Sequence, residues 1–294
     1  MIDDLGLKIS ESKVVTESEK GEEQITINMA KAYNDLVEKS GMPHSYFKKL
    51  GIGFPGNINS KDGIVVFANN LHLNNYHLKE ELEKLINVEV FLDNDANCAA
   101  LGEYYYTSKN KLESMVLITL GTGVGSGVIL DHKLFTGGMH SMVEIGHMKI
   151  KSDKFKCTCG QYGCFESLLS LARLKLDVDE LREKDPELKE LIKDTDTPLK
   201  IFSLDETNES AKAYSFKYQN NLLIGLQNIC NIFQPEVIAI GGGVSYLISK
   251  YLPSLEYRMN KFKYAGFDAP KVKLVQAKLG NDAGGYGACA LTKM

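Results

Sequence analysis

A repeated ending narrows the fold more than any other feature. "LITLGTGVGSG" (117–127) and "VIAIGGGVS" (237–245) are each a short aliphatic run that stops at glycines. Such runs are interior strands, and the glycines let the chain turn sharply where each strand ends. Further strands are expected in "KKLGIGFPGNI" (48–58), "GIVVFANNL" (63–71) and at the starts of "VEVFLDNDANCAALGEYYY" (88–106) and "KVKLVQAKLGNDAGGYGACALT" (271–292). Helices are expected over 24–41, where Gly41 ends the pattern, over 77–86, in the Ala-rich end of 88–106 and through most of 165–233. The stretch 114–135 reads as a β-hairpin. Strands alternating with helices specify an α/β architecture.

At 294 residues the chain has room for two lobes, each with a core. A net charge of −4 gives no basic footprint for nucleic acid or an anionic membrane. No apolar run reaches the ~18–20 residues of a spanning helix, and "MIDDLGLKIS" lacks the basic and apolar regions of a secretion signal. A cytoplasmic protein is expected, acting on small molecules. In a reducing compartment, clustered cysteines are metal ligands or redox groups rather than a disulfide framework. Cys98, Cys230 and Cys289 stand singly among apolar residues and read as small buried hydrophobes.

Gly121, Thr122 and Gly123 follow the first strand, and Gly241, Gly242 and Gly243 follow the second, with a helix expected after them. Backbone N–H groups freed by glycine, a threonine hydroxyl and a helix N-terminus all suit phosphate oxygens. Neither stretch is a Walker A loop or a GxGxxG fingerprint, and each alone reads as a tight turn. Two such turns in a chain that also carries a candidate general base favour phosphate binding. That candidate is Asp95, with Asn94 beside it, where a strand meets a helix. A lone Asn-Asp there reads as a helix N-cap. The alternative is a carboxylate that accepts a proton from a substrate hydroxyl, with the amide binding the neighbouring hydroxyl.

"EIGHMKIKSDKFKCTCGQYGCFES" (144–167) holds His147, Cys157, Cys159 and Cys164. Cys-x-Cys-x₄-Cys with a histidine upstream is a zinc candidate, against unconnected thiols, and four protein ligands make the metal structural. A metal-bound imidazole has its other nitrogen fixed as an N–H donor. Glu144 and Glu166 on their own read as solvated surface charges.

Five stretches, in the order "GIGFPG", "LDNDANCAALGE", "LGTGVGSGVI", "EIGHM" and "CTCGQYGCFE", resemble the ROK family of bacterial sugar kinases and repressors. The resemblance runs from about residue 1 to the end. It implies a two-lobed, actin-like ATPase (ribonuclease H-like) fold with a mixed sheet flanked by helices in each lobe. Residues 1–100 with 281–294 would form the smaller lobe, and 101–280 the larger. It implies that Asp95 is the general base and that Asn70 and Asn94 bind sugar. Gly121–Gly123 match the family's second phosphate motif and Gly241–Gly243 its nucleotide-binding one. It also implies zinc on His147, Cys157, Cys159 and Cys164, sugar hydroxyls on His147, Glu144 and Glu166, and a homodimer.

One departure stands out. Family kinases open with a strand and an Asp-Xaa-Gly-Gly-Thr turn that no stretch here matches. "MIDDLGLKISESKVVTESEK" (1–20) reads instead as the end of a second strand, a turn at "DDLG" and a third strand. The expectation is a start assigned two strands late, ahead of a truncated chain or a degenerate kinase. The function implied is ATP- and Mg²⁺-dependent phosphorylation of a hexose 6-hydroxyl, glucose first. N-acetylmannosamine kinase, fructokinase and a non-catalytic sugar-binding regulator are the alternatives.

Overall fold

Runs of strands and helices succeed one another in the computed structural model, which describes all residues except 4, 109–110, 139–142, 153 and 294. The first elements are α1 (Glu22–Ser40), β1 (Lys49–Phe54), β2 (Asn57–Asn59), β3 (Ile64–Ala68), β4 (Leu73–Tyr76), α2 (Leu78–Ile86), β5 (Glu89–Asn94) and α3 (Asp95–Thr107). Then come β6 (Met115–Leu120), β7 (Val124–Leu130), β8 (Lys133–Leu134), α4 (Phe165–Leu169), α5 (Leu171–Lys184), α6 (Pro186–Leu191) and α7 (Glu209–Phe233). The last are β9 (Val237–Gly241), α8 (Ser245–Ile248), α9 (Leu252–Phe262), β10 (Lys273–Gln276) and α10 (Ala283–Leu291).

The chain forms two units. The first comprises Met1–Lys111, Gly127–Val143 and Asn281–Met294. In it β1 and β5 pair in parallel, which sets Phe54 beside Asn94 at the strands' carboxyl ends. β2, β3 and β4 form an antiparallel sheet. Helix α2 turns Leu78, Leu82 and Ile86 inward at helical spacing, and burying each such side chain contributes about 1.5–3 kcal/mol. Helix α3 belongs to this unit because it lies close against α10: a Cβ on Gly287 would sit 1.5 Å from the Cys98 carbonyl oxygen. This differs from the boundary expected at residue 100.

The second unit comprises Leu112–Ser126 and Glu144–Gly280. Its parallel strands run in the order β10–β9–β6, with β9 buried throughout. Phe165 and Tyr218 are buried beneath, with the Tyr218 hydroxyl donating to the Leu169 carbonyl at 3.0 Å.

Two elements stand outside the expected set. In β4 the sequence Leu-Asn-Asn-Tyr buries only its ends, so no alternating pattern marks it. In α9 Pro253 occupies the first turn, where the N–H it lacks would have had no helical partner. Two other expectations are corrected. Cys98 and Cys230 are buried, but Cys289 is half-buried, with Sγ 3.6 Å from the Ile2 carbonyl. Among the described residues of 1–9 there is one antiparallel bridge, Ile2 to Lys8, rather than two regular strands. Asp4 of the expected "DDLG" turn lies outside the described residues. Among those described, no helix is long and apolar enough to cross a membrane.

Candidate functional site

The β5–α3 junction divides the two roles that the sequence left open between Asn94 and Asp95. Asn94 is the N-cap: its Oδ1 accepts from Ala96 N at 2.8 Å and Asn97 N at 3.2 Å. Its Nδ2 donates to the Gly56 carbonyl at 2.9 Å, tying the "GFPG" turn to the start of α3. Asp95 is thereby released from capping. It is the first residue of the helix, exposed, and its Oδ1 accepts from the Ala96 N–H at 2.9 Å, with the Asn94 side chain also hydrogen-bonded to the carboxylate. Desolvation by the chain around it raises its carboxyl above the ordinary aspartate value, with that N–H opposing. Behind it Asp93 is buried and accepts from Asn94 N and Asn97 Nδ2, both at 2.7 Å. Asn70 lies in the turn between β3 and β4, exposed, and its side chain has no hydrogen-bond partner among the described residues.

In the second unit, the turn Gly121–Gly123 leaves β6 and closes with Gly121 N donating to Gly123 O at 3.0 Å. Glu166, on α4, reaches this turn. Its Oε2 accepts from Val124 N at 3.1 Å, and a Cβ on Gly123 would lie 2.5 Å from the same oxygen, so a larger residue there would displace the carboxylate. The other carboxylate oxygen accepts from the Thr158 hydroxyl at 2.6 Å and from Cys157 Sγ at 3.3 Å. Glu166 is 9% exposed and links the glycine turn to the cysteine segment, which is not the behaviour of a solvated surface charge. At the second turn Gly242 has φ +81° and lies under Leu120, whose oxygen would be 2.3 Å from a Cβ. The helix that follows, α8, is a single turn of four residues. The expected contribution of a helix N-terminus to anion binding is correspondingly small.

His147, Cys157, Cys159 and Cys164 converge, with one ligand atom of each lying within 4.8 Å of all the others. The segment folds back on itself through bridges from Lys149 to Cys164 and from Lys156 to Tyr162. Cys157 Sγ is 3.5 Å from His147 Nδ1, and Cys159 Sγ is 3.7 Å from Cys164 Sγ. Ligands bound tetrahedrally to one zinc ion, at about 2.3 Å for sulfur and 2.0–2.1 Å for nitrogen, sit about 3.5–3.8 Å apart. The donor set and spacing therefore fit zinc. His147 Nε2 points the other way, 3.9 Å from Glu144 Oε2. Desolvation raises the Glu144 carboxyl, the His147 interaction lowers it and the charge on Glu166 raises it further. Burial pushes the Cys157 thiol up to about 12, so in the absence of a metal it holds its proton.

Three participants carried no sequence signal. Thr158 holds Glu166, Lys149 Nζ lies 3.2 Å from Cys164 Sγ, and Asp93 braces the α3 cap. Each acts through a partner that only the folded chain brings near.

An α/β chain with parallel strands running into glycine turns, a freed carboxylate at a strand–helix junction and a Cys₃His knot defines a class, and the chain belongs to it: residues 2–294 match the ROK family. The fold is that of the actin-like ATPases. The structure superposes with a TM-score of 0.81 on a ROK family glucokinase from Streptomyces griseus solved with glucose and AMPPNP. That protein is 28% identical, and the match covers 99% of this chain and 93% of the other. Glucokinase of Halalkalibacterium halodurans is 30% identical over 296 residues, 96% of this chain and 87% of that enzyme. A xylose repressor of Caldicellulosiruptor bescii is also 30% identical, over 83% of this chain. The match spans 63% of the repressor, less than two thirds of its length.

Proposed function

We propose that this protein is an ATP-dependent sugar kinase that phosphorylates the 6-hydroxyl of a hexose, glucose first. The observation that carries the reading is Asp95, a carboxylate freed from capping by Asn94, exposed, and raised towards the range in which a base can accept a hydroxyl proton. Asp95 takes that proton as the γ-phosphoryl group of Mg-ATP passes to the sugar oxygen. Such transfer depends on positioning and on neutralising charge. Gly121–Gly123 and Gly241–Gly243 supply backbone donors for the phosphates and nucleotide.

Asn70, Asn94, Glu144, His147 and Glu166 bind sugar hydroxyls in this reading. The donor and acceptor inventory permits it. Each carboxylate oxygen of Glu166 can accept more than one donor, and the side chain of Asn70 has its amide donors and acceptor free of hydrogen bonds among the described residues. Zinc would be held by His147 Nδ1 and the three thiolates, where it would lock the segment and fix the imidazole tautomer, leaving the Nε2 proton as a donor.

Coupled ADP release with Mg-ATP and glucose, N-acetylmannosamine, N-acetylglucosamine, mannose and fructose tests the reading. Turnover is expected, fastest on glucose. Preference for an N-acylhexosamine would keep the kinase and change the substrate. Silence on all five sugars would overturn the kinase. The repressor match favours one second reading, a regulator that binds sugar without turnover. Sugar affinity measured by calorimetry, with no ADP release, would establish that alternative.

A further inference from the structure

The amino ends of β9 and β10 border a cavity of about 530 Å³ within the second unit. A small-molecule pocket is of this size. Its walls include Cys230 and Asn231 at the end of α7, and Lys263, Ala269, Pro270 and Val272 in the segment between α9 and β10. The glycine turn Gly241–Gly243 leaves the opposite end of β9, so the two places are separated by the length of the strand, about 15 Å at ~3.3 Å per residue.

Lys263 is the unusual member. It is 8% exposed, whereas lysine is almost never buried without a partner. Its ammonium donates to the Pro270 carbonyl, and among the described residues no carboxylate lies within ion-pair distance of it. The one acidic group lining the cavity, Glu236, is exposed, and its Oε2 already accepts from the backbone N–H groups of Glu113 and Ser114. The other charged group, Lys271, is a second cation at the rim. Cys230, 3% exposed, supplies no countercharge, because burial holds its thiol at about 11 in spite of the nearby ammonium. A largely buried ammonium with one carbonyl acceptor and no carboxylate partner has donors left to be met from the cavity. An oxyanion entering the cavity would meet its remaining donors.

We propose that this cavity binds a small metabolite carrying a single oxyanion group, a carboxylate or a phosphate monoester, with Lys263 as its counter-ion. The proposal concerns a ligand other than sugar or nucleotide and stands whether or not the protein is a kinase. Parallel sheets bind their principal ligands at the carboxyl ends of the strands. An occupant at the amino ends is therefore an effector rather than a substrate.

The test is calorimetric titration of the full chain with inorganic phosphate, glycerol 3-phosphate and succinate at matched ionic strength, with melting temperature followed in parallel. Saturable binding of at least one probe and a raised Tm are expected. Binding of the two phosphates alone would identify a phosphate monoester, and binding of succinate alone a carboxylate. Lys263→Met should weaken binding at least ~10-fold, about 1.4 kcal/mol, and Lys263→Arg should retain part of it. Ala269→Phe, which keeps the charge and fills the cavity, guards against misfolding of the methionine variant and should also abolish binding. No saturable binding by any probe, or binding that neither Lys263→Met nor Ala269→Phe alters, overturns the proposal.

Discussion

The Asn94–Asp95 junction and the His147–Cys164 knot are held by different means. At the junction the chain satisfies itself: Asn94 bonds two helix N–H groups and the Gly56 carbonyl, all between 2.8 and 3.2 Å. At the knot the contacts between ligand atoms are 3.5 and 3.7 Å, long and weak as hydrogen bonds but right for neighbours on one metal ion. The first region is pre-organised by its own polypeptide. The second has backbone bridges of its own, but the convergence of its four side chains has a reason only when a metal is bound, and that part of its order should depend on the metal.

Asp95→Asn keeps the size and the acceptor for the Ala96 N–H but removes the base. It should lower kcat by at least ~10²-fold, with sugar affinity and melting temperature nearly unchanged. The wild-type rate should fall as pH drops through the raised Asp95 value, which places the acid limb above the ordinary 3.8. Wild-type turnover by the variant would reduce Asp95 to a helix-start residue.

Metal removal probes the other region. The purified protein should carry one zinc per chain, and Cys159→Ser should lose it together with sugar affinity. Hydrogen exchange after chelation should show lost protection at Ile150, Cys157 and Phe165, whose N–H groups bond within the knot. Ala96 and Asn97 at the junction should stay protected. Equal loss in both regions would break the comparison, and metal-free wild-type protein would remove the zinc account altogether.

How much of this was legible beforehand follows the same division. The cluster of His147, Cys157, Cys159 and Cys164 and the glycine turns can be read from the sequence because their spacing along the chain is itself the signal. The α/β architecture was visible through the strand–helix alternation. The split between Asn94 as cap and Asp95 as free carboxylate was not, since both types serve at an N-cap and only the bond to Gly56 separates them. Nor was the position of Glu166: a glutamate among cysteines reads as surface until its contacts with Val124 and Thr158 are known. The position of α3 rests on the Gly287–Cys98 approach between residues far apart in sequence.

Asn94→Ala tests the self-sufficiency of the junction at moderate cost. Losing the cap should destabilise the protein by about 1 kcal/mol, within the ~0.5–2 kcal/mol usual for such caps, as read by denaturant midpoints. Asn94→Ser should cost less, because a serine hydroxyl can still accept from the helix while the donation to Gly56 is lost. Equal losses in the two variants would mean that the Gly56 bond, not the cap, holds the junction.

The smallest effect expected concerns Asp93, where a carboxylate is buried against donors from Asn97, Asn94 and Ser60. Burial raises its folded-state value above the ordinary 3.8, with the donations from Asn97, Asn94 and Ser60 opposing. The folded protein therefore holds this proton more tightly than the unfolded chain does. Stability falls as pH rises from 3.8 through the raised value, and the deficit persists at neutral pH. Asp93→Asn keeps Oδ1 for the Asn94 and Asn97 donors, leaves Ser60 able to accept from the new amide, and removes the ionisation. The variant should melt slightly higher than wild type at pH 7, and the gap should close as pH falls below 3.8. A variant that melts lower at pH 7 would mean that the Asp93 charge is used by the junction, which would then depend on more than its own hydrogen bonds.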